Sequence, residues 1–176
     1  MTDLNTLLKN YIRDIPNFPI PGIMFRDITT LLADSEAFKL AIDGLLEPYR
    51  DQRIDKIVVI ESRGFIFGSP MAYELGAGVG PVRKPGKLPG DTVTEEYSLE
   101  YGTNTLQLHT DAILEGDRVI IVDDLLATGG TVDATIKLVK SQGAEILGVS
   151  FLAELMDLNG RDRIIDVPIH SLVRYE

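Results

Sequence analysis

Hydrophobic positions along this chain fall into two patterns, and their order predicts a fold. Lys56-Ile57-Val58-Val59-Ile60 and Val119-Ile120-Ile121-Val122 are short, β-branched runs, the mark of strands buried on both faces. Each leads into a small polar turn, Glu61-Ser62-Arg63-Gly64 or Thr128-Gly129-Gly130-Thr131, and then into a helical segment. Two such βα units imply a parallel sheet with ligands at the carboxyl ends of its strands. Glu145 to Leu155 reads as a further strand and Val167 to Tyr175 as an edge strand, with a turn at Asn159-Gly160 between them.

Helical spacing predicts an amphipathic helix over 3–14, with Leu4, Leu7, Leu8, Tyr11, Ile12 and Ile15 on one stripe. Pro16, Pro19, Pro21 and Gly22 end it, and Ile23 to Thr29 is too short and too bounded by breakers to be a helix. A second helix runs from Asp34 to Tyr49, capped by Asp34 or Ser35, with Phe38, Ala41, Ile42, Leu45, Leu46 and Tyr49 inward. A third carries Val132, Thr135, Ile136 and Val139, whereas Pro70 obscures the start of the helix after Arg63. Residues 79–84 read as a short strand that Pro81 keeps from the sheet centre. Tyr97 to Gly102 and Asn104 to His109 read as a hairpin.

Composition narrows the class. The 176 residues fit one domain with a substantial core, and no linker, repeat or low-complexity tract divides them. No run approaches a membrane span, and the first residues lack the basic-then-apolar pattern of an export signal. The absence of cysteine excludes disulfides and thiolate metal sites and fits a cytoplasmic setting. A formal charge of −10 argues against a nucleic-acid binder. Cations are instead gathered locally, at Arg83, Lys84 and Lys87 in a stretch rich in Pro and Gly.

The chemistry centres on residues 119–131. A loop of small residues opening a helix turns several backbone N–H groups toward one anion, and Thr128 and Thr131 add hydroxyl donors. Asp123 and Asp124 just before it would repel a bare phosphate. They suit a ligand that also carries hydroxyls or a metal, since each carboxylate can accept a hydrogen bond from one hydroxyl of a vicinal diol. His109 has no neighbour in sequence suggesting a nucleophile or metal partner and is read as structural.

The ordered string VIIVDDLLATGGT resembles the phosphoribosyl-diphosphate motif of the type I phosphoribosyltransferases. The likeness extends over nearly the whole chain and is closest to family members acting on adenine. It implies an α/β fold with a mainly parallel central sheet flanked by helices. It also implies a small N-terminal hood over residues 1–33 and a flexible β-hairpin lid over 83–105, within a single domain over 1–176. The implied activity is purine salvage: transfer of the 5-phosphoribosyl group from phosphoribosyl diphosphate to adenine, giving AMP and pyrophosphate. Mg²⁺ would be held mainly by substrate oxygens rather than by a protein-only site, and the family is usually a homodimer. The alternatives are an enzyme of 6-oxopurines (hypoxanthine, guanine or xanthine) and a non-catalytic regulator that binds phosphoribosyl diphosphate.

The resemblance also distributes roles. PGIMFRDIT matches the base-binding segment, so that Met24, Phe25 and Arg26 would hold the purine, an aromatic ring stacking on it and backbone groups reading its edge. The turn Glu61, Ser62, Arg63 would bind pyrophosphate, with a cis peptide expected between Glu61 and Ser62; the planar fork of Arg63 suits two phosphate oxygens. Lys84 and Lys87 would join it from the basic loop, closing over the site as a lid. Asp123, Asp124 and the loop Ala127, Thr128, Gly129, Gly130, Thr131 would hold the ribose phosphate. EYSLEYG matches the hairpin whose glutamate, here Glu100, is proposed to handle the base's proton.

Overall fold

The computed structural model describes residues 3–98 and 103–176. In chain order these form α1 (Leu4–Lys9), β1 (Arg13–Pro16), β2 (Met24–Asp27), α2 (Thr29–Ala33), α3 (Ser35–Leu46), β3 (Lys56–Ile60), α4 (Gly64–Leu75), β4 (Gly78–Val82), β5 (Thr92–Ser98), β6 (Thr103–His109), β7 (Arg118–Leu126), α5 (Gly130–Ser141), β8 (Glu145–Leu155) and β9 (Ile169–Tyr175). Short 3-10 turns lie at Glu47–Tyr49, Met156–Leu158 and Gly160–Arg163.

The two β-branched runs are neighbours at the heart of a five-stranded sheet, order β4-β3-β7-β8-β9, in which every pairing is parallel. Both faces are buried, as continuous apolar strands require. Ile57, Val59, Ile120 and Val122 face one core with Phe67 and Met71 of α4 and Leu45 of α3. Val58, Ile60, Val119 and Ile121 face the other with Leu138 and Val139 of α5 and Leu106 and Leu108 of β6. Pro81 sits in β4, an edge of the sheet, where a missing N–H costs least. None of the described helices is long and apolar enough to cross a membrane.

The two remaining sheets are small antiparallel pairs, β1 with β2 and β5 with β6. The first corrects the expectation of a helix over 3–14. Pro16 biases Ile15 toward extended backbone, and Ile15 pairs with Phe25 instead of prolonging α1. The apolar stripe is nonetheless used, because Leu8 and Ile12 are both in the core. Residues 29–33 add a helical turn, α2, that periodicity did not mark. The second helix runs as expected, its N-cap Asp34 accepting from the Glu36 and Ala37 N–H groups at 3.1 and 2.9 Å, and it ends in a 3-10 turn containing Pro48. The hairpin's first strand begins at Thr92, earlier than expected, because Thr92-Val93-Thr94 already alternates against His109 to Gln107. Pro70 lies inside α4 without ending it. The carbonyl it deprives is that of Ile66, a residue on the exposed side, where water can replace the lost bond.

Helix α4 reaches the sheet through glycines. A Cβ on Gly68 would stand 2.1 Å from a Val59 methyl, and one on Gly64 would stand 2.8 Å from the Val122 carbonyl. Gly68→Ala should therefore destabilise the protein by about 1–3 kcal/mol in urea unfolding, because overpacking outweighs the gain in helix propensity. Adding Val59→Ala should recover part of that loss, giving a coupling that independent sites would not show.

Candidate active site

β3 and β7 lie side by side, so their carboxyl ends open into one place. A cleft of about 340 Å³ there is lined by Glu61, Ser62 and Arg63 after β3, Asp123 and Asp124 from β7, Thr131 of α5, Lys84, and Tyr97 and Asn104 of the hairpin. Beside it a hollow of about 80 Å³ is walled by residues 125–132 with Asp123 and Phe151. The predicted diol, pyrophosphate and phosphate segments thus converge.

The hollow is shaped by backbone. Gly129 has φ of 81°, a left-handed conformation that glycine tolerates, and α5 starts at the next residue. The loop rests on the turn read in sequence only as Asn159-Gly160. A Cβ on Gly129 would come within 2.4 Å of the Gly160 carbonyl, and one on Gly160 within 2.2 Å of the Ala127 carbonyl. Thr128 is exposed, while Thr131 is half-buried and its hydroxyl lies 3.2 Å from the Tyr97 hydroxyl.

The acids are not in a loop after β7, as their position in sequence suggested. The strand continues through them, Asp123 pairing with Phe151 and Leu126 with Glu154 of β8, which holds both carboxylates on rigid backbone. The Asp124 N–H donates to the Asp123 carboxylate at 2.9 Å, and the buried Asp124 carboxylate accepts from Arg63 Nε at 2.8 Å. Burial pushes the Asp123 carboxyl well above the ordinary range, and the negative charge of Asp124 pushes it further. Burial raises Asp124 too, with the Arg63 guanidinium opposing the shift. Among the described residues no group of three His, Cys, Asp or Glu could hold an ion by itself.

Arg63 also spans to the base segment, its guanidinium 5.8 Å from the centre of the Phe25 ring. Phe25 is half-buried and packs edge-on against Phe18 at 5.1 Å; Met24 is exposed. The Arg26 side chain is turned away, ion-paired with Asp14 at 2.5 Å and lying 4.0 Å over the Tyr175 ring. Only the Arg26 backbone is therefore available to a ligand at Phe25.

The turn between β3 and α4 does contain a cis Glu61–Ser62 peptide. The Glu61 side chain serves the basic segment: it accepts from the Lys84 N–H at 3.0 Å and Arg83 Nε at 3.2 Å. The Lys84 N–H, then Arg83, hold its carboxyl below the usual range. Lys84 borders the cleft, whereas Lys87 is exposed and lies outside its lining. Glu100 falls outside the described residues. His109 sits away from the cleft, beside Pro89 and Asp91.

Sequence reasoning overlooked Tyr97, Asn104 and Arg83. Tyr97 and Asn104 are a cross-strand pair on one face of the hairpin, a pairing that period-two counting across its two arms would have found. Arg83 was noted for charge, not as the partner of Glu61.

The profile of the Phosphoribosyl transferase domain matches residues 29–173. An adenine phosphoribosyltransferase of Clostridium botulinum is 56% identical over 169 residues, covering 96% of this chain and 98% of its own. The crystal structure of adenine phosphoribosyltransferase from Rhodothermus marinus superposes with a TM-score of 0.93 at 53% identity, covering 98% of each chain. The enzyme from Saccharomyces cerevisiae, complexed with adenine and D-2,5-dideoxy-2,5-imino-altritol 1,6-bisphosphate, gives 0.90 at 40% identity, covering 96% of this chain and 98% of its own.

The raised carboxyl of Asp123 predicts a stability trade. A group whose folded pKa is raised stabilises the fold in its protonated form, and that contribution is lost as pH rises from the unfolded value, about 3.9, through the folded one. Asp123→Asn keeps the acceptor for the Asp124 N–H and removes the charge. Its melting temperature should exceed wild type by a few degrees at pH 7.5, with the difference closing below about pH 4. A constant difference across pH would show that charge is not the cause.

Proposed function

The chain belongs to the phosphoribosyl transferase domain family, and we infer from this premise that it transfers the 5-phosphoribosyl group of phosphoribosyl diphosphate to adenine, giving AMP and pyrophosphate. The observation that carries this reading is one cleft lined by an acid pair and Arg63, with an anion-sized hollow at a helix start beside it and the Phe25 ring 5.8 Å from the Arg63 guanidinium. The yeast relative's two ligands, adenine and a bisphosphorylated imino-sugar alcohol, have the chemistry of a base beside a sugar with two phosphates.

In the reaction the 5-phosphate occupies the hollow on the backbone of residues 127–131, and Asp123 and Asp124 accept from the ribose hydroxyls. Arg63, Lys84 and the backbone of the Glu61–Ser62–Arg63 turn take the pyrophosphate. Glu61 contributes by fixing Arg83 and the Lys84 backbone rather than by touching an anion. Adenine stacks on Phe25, with the backbone of Met24 to Arg26 reading its edge. A ring nitrogen of adenine donates its electron pair to C1 of the ribose. The bond from C1 to the pyrophosphate oxygen breaks, its electron pair leaving with pyrophosphate. The nitrogen's proton passes to Glu100, directly or through water, and no covalent enzyme intermediate is needed. Positive charge develops on the sugar, so excluding water and stabilising the leaving pyrophosphate are the protein's main tasks.

The Asp123 and Asp124 carboxylates, with Arg63 alone to offset them among the described residues, also fit a cation carried in by the substrate. Mg²⁺ bound there through waters and substrate oxygens would neutralise charge on the pyrophosphate. A homodimer would have apolar residues to bury: Ile66 and Tyr73, one heptad apart on α4, and Val79 on edge strand β4 are exposed. Sedimentation should give twice 19.4 kDa, and Tyr73→Glu should lower it toward the monomer.

The deciding assay supplies phosphoribosyl diphosphate, Mg²⁺ and one base at a time. AMP from adenine alone is expected; product from hypoxanthine, guanine or xanthine would sink the assignment at Phe25. Binding of phosphoribosyl diphosphate without product from any base would identify a regulator. Glu100→Gln should lower kcat by about 10²–10⁴-fold, and near-normal turnover across pH would exclude proton transfer by this side chain.

A further inference from the structure

The turn that braces the anion hollow also brings a cation beside Gly130, one of the residues that wall it. After β8 the chain passes through Asn159, at φ 52°, and Gly160, whose α-carbon is wedged against the Ala127 carbonyl. The following 3-10 turn, Gly160–Arg163, is pinned from below. The buried Glu154 carboxylate accepts from Arg161 Nε at 2.5 Å and Nη2 at 2.7 Å, and from the Ser171 hydroxyl at 2.5 Å. Held by the glycine contact and by this buried pair, the turn has little freedom in where it presents its last residue, Arg163.

Arg163 lies against the start of α5. Its Nη1 is 3.5 Å from the point where a Cβ on Gly130 would stand, a point also 3.3 Å from the Tyr97 ring. Its neighbours Arg161 and Arg174 both reach Glu154, at 2.5 and 3.8 Å. Arg163 is exposed and is not part of that cluster. The acid in the first turn of α5, Asp133, is paired with Lys137 at 3.0 Å.

This is the wrong end of a helix for a cation. The start of a helix carries about half a positive charge, so a guanidinium beside it is repelled. An anion between them turns the repulsion into two attractions, since backbone N–H groups and a planar fork can both donate to phosphate oxygens.

We propose that Arg163 is a further binding residue for the 5-phosphate of phosphoribosyl diphosphate, its guanidinium completing a hollow otherwise built of backbone N–H groups and the Thr128 and Thr131 hydroxyls. The proposal rests on the phosphoribosyl reading above, which supplies the phosphate. It gives Arg163 a part distinct from Arg63 and Lys84, which serve the other end of the substrate.

The test separates the two ends. Calorimetry with Mg²⁺ present would measure ribose 5-phosphate and pyrophosphate, each alone, on wild type, Arg163→Gln and Arg163→Lys. Arg53→Gln, an exposed residue paired with Asp55, serves as a control for net charge. Arg163→Gln should weaken ribose 5-phosphate by about tenfold or more, the loss of a charged hydrogen-bonded pair, and leave pyrophosphate within about twofold. Arg163→Lys should recover much of the affinity. In turnover, the KM for phosphoribosyl diphosphate should rise in Arg163→Gln while the KM for adenine holds. Unchanged ribose 5-phosphate affinity in Arg163→Gln, with wild type binding normally, would overturn this proposal alone. So would equal loss of both ligands matched by Arg53→Gln, which would mark a long-range charge effect. Failure of wild type to bind either ligand would overturn the phosphoribosyl reading and this proposal together.

Discussion

Two strands buried on both faces and paired in parallel, β3 and β7, set the terms for the rest of the molecule. Their register, Lys56 opposite Val119 through Val59 opposite Val122, brings two chain turns out at the same edge. Both cores close around them, so neither strand end has freedom to drift. Gly64 then lets α4 start almost in contact with the β7 backbone, its missing side chain leaving room for the Val122 carbonyl and the Asp123 carboxylate. The distance between the turn after β3 and the acids of β7 is thus fixed by apolar packing, not by the polar groups that use it.

Charge is the counterpart of that packing. A chain with ten net negative charges handles polyanions only by local arrangement. Arg63 is the pivot: it offsets Asp124 and reaches toward Phe25. Glu61 uses its own charge to fix the position of Arg83 and the Lys84 backbone. Burial raises both carboxyls of the acid pair, and the Arg63 guanidinium opposes that shift in each.

Much of this was legible in the sequence because buried parallel strands, helical stripes and small-residue loops each follow from local chemistry. The β-branched runs, a cap at Asp34 or Ser35 and the non-central position of the strand holding Pro81 needed no tertiary information. What escaped was set by contacts across the chain. Arg13 to Pro16 became a strand because Ile15 found Phe25, and nothing within a helical stripe announces a partner in the next segment. Asp123 and Asp124 belong to β7 because β8 extends alongside them, whereas polar residues after an apolar run read as its end. The Arg26 side chain was grouped with the base segment by motif, yet Asp14 and Tyr175 draw it elsewhere.

The contact between Gly129 and Gly160 ties two distant segments of chain to one another. Gly160 occupies the space that a side chain on Gly129 would need, and a side chain on Gly160 would need the space held by the Ala127 carbonyl. No single substitution by a larger residue at either place is accommodated without moving the backbone that walls the hollow. Either position is open to a larger side chain only in concert with a change in the path of the chain between β8 and β9. A segment that looks in isolation like ordinary connecting chain is therefore held to its path by the loop it supports.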